Sequence, residues 1–126
     1  MAQLLSDDLN QLVAGQLKSS VNRIRIRPDN PIAEDIYLEE IRVTDLEGKN
    51  IILVDDVANT GRTLFYAFQP LLKIIPGRLE VAVMVDRKHK LFPVSVDYVG
   101  ISLATTLMEN IRVNLSHPNN MSTTLE

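Results

Sequence analysis

The chain has 126 residues, 45% of them hydrophobic and 23% charged, with no Cys or Trp and a formal net charge of −3. Leu, Ile, Val and Phe make up about a third of it, enough for one packed domain and too many for a disordered chain. The composition excludes disulfides, thiolate metal sites and thiol catalysis, and the net charge argues against broad, non-specific nucleic-acid binding.

Met1 is not followed by a basic stretch and an apolar block, and the longest apolar runs fall far short of the roughly 18 residues of a membrane span. A soluble cytoplasmic protein is expected. Ser6 as N-cap, followed by Asp7 and Asp8, with Leu9, Leu12, Val13 and Leu17 at helical spacing, predicts a helix over 6–18. From Val21 the period becomes two. Arg23, Arg25 and Arg27 lie on one side with Val21, and Asn22, Ile24 and Ile26 on the other, as in a half-buried strand with a basic outer face. Pro28-Asp29-Asn30-Pro31 breaks it and opens a polar loop. Tyr37 to Val43 reads as extended, and Gly48-Lys49-Asn50 as a turn.

Ile51 to Val54 is a continuous apolar run, as expected of a strand buried on both faces of a parallel sheet. After Asp55-Asp56 comes Val57-Ala58-Asn59-Thr60-Gly61-Arg62-Thr63. A helix follows with Leu64, Phe68, Leu71, Leu72 and Ile75 on its core side, kinked at Pro70 and ended by Pro76-Gly77. Val81–Val85, Tyr98–Ile101 and Ile111–Leu115 are further strands. This order predicts an α/β fold with a central, mostly parallel sheet flanked by helices. The domain is expected over residues 1–116, and residues 117–126 as a disordered tail ending in a possible tag remnant.

The chemistry concentrates at Asp55–Thr63. Two carboxylates at the carboxyl end of a buried strand stand where open α/β sheets place their ligands. The turn beyond offers small and hydroxylic residues, with Gly61 letting the backbone come close and the start of a helix pointing its amides the same way, which suits a phosphate. Asp55 and Asp56 would repel a bare phosphate and suit sugar hydroxyls or a divalent cation. A sugar phosphate satisfies both halves. A P-loop is excluded because the upstream Gly and the Lys are missing, and the GxGxxG fingerprint is absent.

The run Ile51-Ile52-Leu53-Val54-Asp55-Asp56-Val57-Ala58-Asn59-Thr60-Gly61-Arg62-Thr63 resembles the phosphoribosyl pyrophosphate signature of type I phosphoribosyltransferases. Val85-Asp86-Arg87-Lys88-His89-Lys90 with Phe92-Pro93, then Asp97-Tyr98-Val99-Gly100, is similar to the bifunctional pyrimidine attenuator and uracil phosphoribosyltransferase branch. The resemblance implies that Asp55 and Asp56 bind the ribose 2′- and 3′-hydroxyls, directly or through Mg²⁺, and steady positive charge at the anomeric carbon. It implies that Val57, Ala58, Asn59, Thr60, Gly61, Arg62 and Thr63 hold the 5′-phosphate. Asp86, Arg87, Tyr98 and Val99 would lie in a small hood over the base. A surface ion pair competes with base contact for Asp86 and Arg87, a core position with stacking for Tyr98, and a solvated loop with acid–base work for His89. The 28–36 segment stands where the family has a mobile loop, or is a plain linker.

The resemblance also implies an earlier helix, strand and tight pyrophosphate-binding turn, for which no counterpart precedes residue 6. A partial sequence is the expectation, because a sheet without a central strand leaves backbone unpaired. Two functions are weighed. The first is Mg²⁺-dependent transfer of a phosphoribosyl group to a base such as uracil by a homodimeric enzyme, with phosphoribosyl pyrophosphate and a base or nucleoside monophosphate as ligands. The alternative is a nucleotide sensor that binds RNA through Arg23, Arg25 and Arg27, which the net charge disfavours.

Overall fold

A computed structural model of the chain describes residues 2–12, 18–104, 111–114 and 122–125. Helix α1 (Ala2–Leu12) starts four residues before the expected cap. Ser6 lies inside it and is buried, with its hydroxyl 2.6 Å from that of Ser19, so its polar group serves a tertiary contact and not a helix end. Asn10 reinforces that contact by accepting from the Ser19 amide at 2.8 Å. Val13 and Leu17 lie outside the described residues.

The basic stretch alternates as expected: Arg23, Arg25 and Arg27 are exposed and Ile24 and Ile26 half-buried. Its ladder is short. Only β1 (Ile24–Arg25) pairs, antiparallel, with β2 (Tyr37–Leu38). The rest of the segment expected to be extended after Tyr37 turns into a 3₁₀ helix at Val43–Leu46, closed by Asp45 accepting from the Arg42 amide.

The framework of the domain is a three-stranded parallel sheet in the order β3 (Asn50–Ala58), β4 (Arg78–Arg87), β5 (Tyr98–Leu103). The strand buried on both faces is β4, where Val81, Ala82, Val83 and Val85 are all sequestered. In β3, by contrast, Ile52 is 40% exposed, because among the described residues β3 pairs with β4 alone and forms a sheet edge. Gly100 is required where β5 meets β4, since a Cβ there would lie 2.6 Å from the Met84 carbonyl oxygen.

Between β3 and β4 the chain forms α2 (Arg62–Ala67) and then a 3₁₀ helix (Gln69–Lys73), with Pro70 in its first turn. The change from 3.6 to 3.0 residues per turn moves the inward face. Leu64, Ala67, Leu71 and Ile74 are buried, whereas Leu72 and Ile75, expected in the core, are 78% and 79% exposed. Leu64 packs with Ala58, Val81 and Val83, and Leu53, Phe68, Val94 and Val96 close around them. Val94 and Val96 belong to the 88–97 crossover, which lacks a helix and is pinned by Asp97: its carboxylate accepts from the Val81 amide at 2.8 Å and its amide donates to the Val81 carbonyl at 2.9 Å.

The strand expected at Ile111–Leu115 is observed as β6 (Ile111–Asn114), paired antiparallel with β7 (Ser122–Leu125) and not added to the parallel sheet. Ser122–Leu125, inside the segment expected as a tail, form the second strand of this ladder. Residues 117–121 and 126 lie outside the described residues.

The shifted helical face gives a direct test by urea denaturation. Leu71→Ala removes a buried side chain and should cost about 2–4 kcal/mol. Leu72→Ala, one residue on, should cost less than about 0.5 kcal/mol.

Candidate functional site

Strand β3 runs three residues past Asp55 before Asn59, Thr60 and Gly61 turn the chain into α2. Gly61 makes that turn with φ 83° and ψ 0°, a left-handed conformation that costs an L-residue about 1–2 kcal/mol. The Thr60 hydroxyl accepts from the Arg62 amide at 3.3 Å, and the Gly61 carbonyl takes the first helical bond from Phe65 at 2.9 Å. The Thr60 carbonyl points the other way and accepts two amides of the crossover, Leu91 at 2.9 Å and Phe92 at 3.1 Å. That oxygen is therefore committed outside the turn.

The result is a cavity of about 350 Å³ lined by Pro28, Asp55, Asp56 and the stretch from Val57 to Leu64. Asp55, Asp56, Val57, Ala58, Asn59, Thr60, Gly61, Arg62 and Thr63, singled out from the sequence, all meet there. Pro28, the first residue of the segment read as a mobile loop or a plain linker, joins them. It is brought in by Arg62, whose guanidinium donates to the Pro28 carbonyl at 2.8 Å and ties the 28–36 segment to the loop.

The two carboxylates are oriented by neighbouring amides: Asp55 accepts from Asp56 N–H at 2.9 Å, and Asp56 from Val57 N–H at 2.8 Å. Burial pushes the Asp55 carboxyl up from 3.8 to about 6, and the Asp56 side chain adds to the rise while the Asp56 amide opposes it. Such a group gains from sugar hydroxyls or a cation that stabilises its ionised form. Among the described residues there is no cluster of three or more acidic, His or Cys side chains. Asp55 and Asp56 are the carboxylates of this cavity that could contribute to holding a cation.

The four residues expected around the base divide into two pairs. Asp86 and Arg87 stand at the carboxyl end of β4, with Asp86 in register with Ala58 and Ser102. Asp86 forms an ion pair with Lys90, and Arg87 is buried with 3% exposure. Tyr98 and Val99 are in register with Ala82 and Val83, several residues nearer the amino end. The Tyr98 hydroxyl donates to Glu80 at 2.6 Å from an exposed ring, so Tyr98 is neither in the core nor at the loop. His89 is exposed. Sequence reasoning missed Lys90 and the two amides on Thr60. Asp86 ends a strand and Lys90 lies in a non-helical loop, so their spacing of four carries no helical ion-pair signal, and backbone donors leave no trace in residue identity.

A larger cavity of about 460 Å³ lies beside Pro31, Ile32, Phe65 and Leu72. Glu34, Asp35 and Tyr66 also line it among Pro31, Ile32, Phe65, Phe68 and Leu72, but it contains no strand-to-helix turn that sets Thr60 and Thr63 hydroxyls beside its acids. Chemistry, not size, selects the smaller one.

Comparison with known proteins gives the same answer as the loop. The family model described as "Phosphoribosyl transferase domain" matches residues 2–117. The bifunctional protein PyrR of Streptococcus equi subsp. zooepidemicus is 43% identical over 89 residues, covering 68% of this chain and 51% of the relative. The Streptomyces coelicolor protein of the same name is 34% identical over 133 residues, covering 99% and 67%. The chain thus spans about half the length of the first of these relatives and two thirds of the second. Among solved structures, the hypoxanthine phosphoribosyltransferase of Trypanosoma cruzi superposes with a TM-score of 0.61 at 20% identity, covering 79% of this chain and 54% of that one, a likeness of fold. The chain belongs to the phosphoribosyl transferase domain family, and its fold is the type I phosphoribosyltransferase fold.

Two substitutions test the local physics. Gly61→Ala places its Cβ no closer than 3.5 Å to any neighbour, so its cost is conformational, about 1–2 kcal/mol in thermal unfolding. Asp55 holds its proton more tightly folded than unfolded, so the native chain loses stability as pH rises from about 4 to about 6. Asp55→Asn removes that loss: the variant should be about 1–2 kcal/mol more stable than the native chain at pH 7.5, after allowance for solvent screening, and converge with it near pH 4.

Proposed function

We propose that this member of the phosphoribosyl transferase domain family binds the ribose 5-phosphate moiety of phosphoribosyl pyrophosphate or a nucleoside monophosphate at Asp55–Thr63. The whole protein would use the site to transfer the phosphoribosyl group to a nitrogenous base, releasing pyrophosphate. The single observation that carries the proposal is the meeting, in one cavity, of two amide-oriented carboxylates and a turn whose Thr60 carbonyl is held away from the cavity. The first half suits cis-hydroxyls; the second suits a phosphate.

In this reading Asp55 and Asp56 accept hydrogen bonds from the ribose 2′- and 3′-hydroxyls and stabilise positive charge as the anomeric carbon loses its leaving group. The backbone of residues 58–63 with the Thr60 and Thr63 hydroxyls holds the 5′-phosphate. Rate acceleration comes from orientation and preorganised electrostatics, since no nucleophile of the protein is needed. Asp55 and Asp56 would also hold Mg²⁺, which supplies charge neutralisation for the pyrophosphate. The base side is assigned to the carboxyl ends of β4 and β5 near Arg87, and the similarity of residues 81–100 to the pyrimidine branch makes uracil the favoured base. The same resemblance supplies a homodimer. Among the described residues, no helix is long and apolar enough to cross a membrane.

The RNA-binding alternative is the weaker of the two. Arg23 and Arg25 face Glu39 at 4.0 and 3.4 Å, and Arg27 faces Asp29 and Glu34 at 3.5 and 3.6 Å. A row already balanced by carboxylates offers little counterion release to a polyanion.

Calorimetry with phosphoribosyl pyrophosphate and Mg²⁺, and separately with uridine 5′-monophosphate, tests the reading. The native chain should bind, and Asp55→Asn/Asp56→Asn should weaken binding at least about tenfold through the loss of charge-assisted hydrogen bonds. A native chain that binds neither ligand removes the assignment.

A further inference from the structure

Lys90 has no role in the reading above, yet three contacts to the loop pass through it and its two successors. Its ammonium sits against Asp86 Oδ1, an oxygen with no other hydrogen-bond partner, and both side chains are largely withdrawn from water, at 11% and 15% exposure. Its methylenes run over Gly61, with Cδ 3.5 Å from the position a Gly61 Cβ would take. The Leu91 and Phe92 amides then close on the Thr60 carbonyl. Phe92 is also packed on α2, its ring centroid 5.5 Å from that of Phe65. Asp86 itself is in register with Ala58, the last residue of β3 before the turn. Lys90 therefore joins the end of one strand to the turn that follows the other.

We infer that Lys90, anchored on Asp86, is a positioning residue that keeps the Thr60 carbonyl turned out of the phosphate cavity. This rests on the proposed reading of the loop. A largely buried ion pair adds little net stability, because desolvating both ions offsets their attraction, so stability alone does not account for its placement. What the pair does is geometric. Fixing Lys90 at both ends fixes the two amides after it, and these engage the one carbonyl of the turn whose rotation would point a partial negative charge at a bound phosphate. Lys90 acts on the phosphate half of the ligand through Thr60, and its own charge is spent on Asp86.

Two roles for Lys90 predict opposite outcomes for one substitution. If Lys90 were a direct phosphate ligand, Asp86→Asn would free the ammonium and tighten binding. If it is a positioning residue, Asp86→Asn loosens its anchor and weakens binding. The experiment is calorimetry with ribose 5-phosphate, which has no base and so is blind to base contacts of Asp86, on the native chain, Asp86→Asn, Lys90→Met, Lys90→Arg and Asp86→Asn/Lys90→Met, each checked by thermal unfolding. The expected result is an affinity loss of about tenfold for Asp86→Asn and for Lys90→Met, with the double variant no worse than either single one because both break one linkage. Lys90→Arg keeps the pair and should stay within about threefold of the native chain. The double variant leaves no orphaned buried charge, so it should recover thermal stability without recovering affinity. Tighter binding by Asp86→Asn, or native affinity in the double variant, overturns the inference and leaves the loop assignment standing. A native chain that binds neither ribose 5-phosphate nor uridine 5′-monophosphate overturns both.

Discussion

The site depends on which way one peptide faces. Between β3 and α2 the chain has three residues in which to reverse, and it can do so only because Gly61 takes a positive φ. The reversal leaves the Thr60 carbonyl needing a partner, and the crossover from β4 to β5 supplies two amides. Without them that oxygen would compete for the cavity the turn encloses. The loop's chemistry thus belongs as much to residues 91 and 92 as to its own.

This explains why the crossover is built as it is. A parallel connection normally runs through a helix, but residues 88–97 stay irregular and keep their backbone donors available. The crossover still contributes apolar packing through Val94 and Val96 and is fastened at its far end by Asp97 on Val81. Rigidity at both ends, with α2 held against Phe92 between them, lets an irregular segment brace a ligand-binding turn. The carboxylate pair works on the opposite principle. Asp55 carries a pKa pushed up to about 6 by burial, so groups that stabilise its ionised form are favoured beside it.

Much of this was legible in residue order because the relevant signals are local. The apolar run before Asp55-Asp56, the hydroxyls and the glycine mark a strand, a turn and a helix start, and all nine residues meet in one cavity. The alternation gave the faces correctly from Arg23 to Arg27, whereas Val21, placed with the arginines, is half-buried like Asn22. The misread elements are those decided by partners. Ser6 reads as a cap until Ser19 is placed beside it, and Leu72 and Ile75 read as core until Pro70 tightens the helix and turns them outward. Ile52 reads as buried until β3 is found, among the described residues, to pair with β4 alone. The hydrogen bond from Tyr98 to Glu80 is likewise one that no pattern in the sequence specifies.

Two cavities, at the 55–64 loop and beside Phe65 and Leu72, compete for the ligand. Amide chemical shifts recorded while ribose 5-phosphate is added decide between them. The account predicts the largest changes at residues 58–63, with Leu91 and Phe92 moving in step because they share the Thr60 carbonyl. Changes confined to Ile32, Phe65, Gln69 and Leu72, with the loop unmoved, would contradict it.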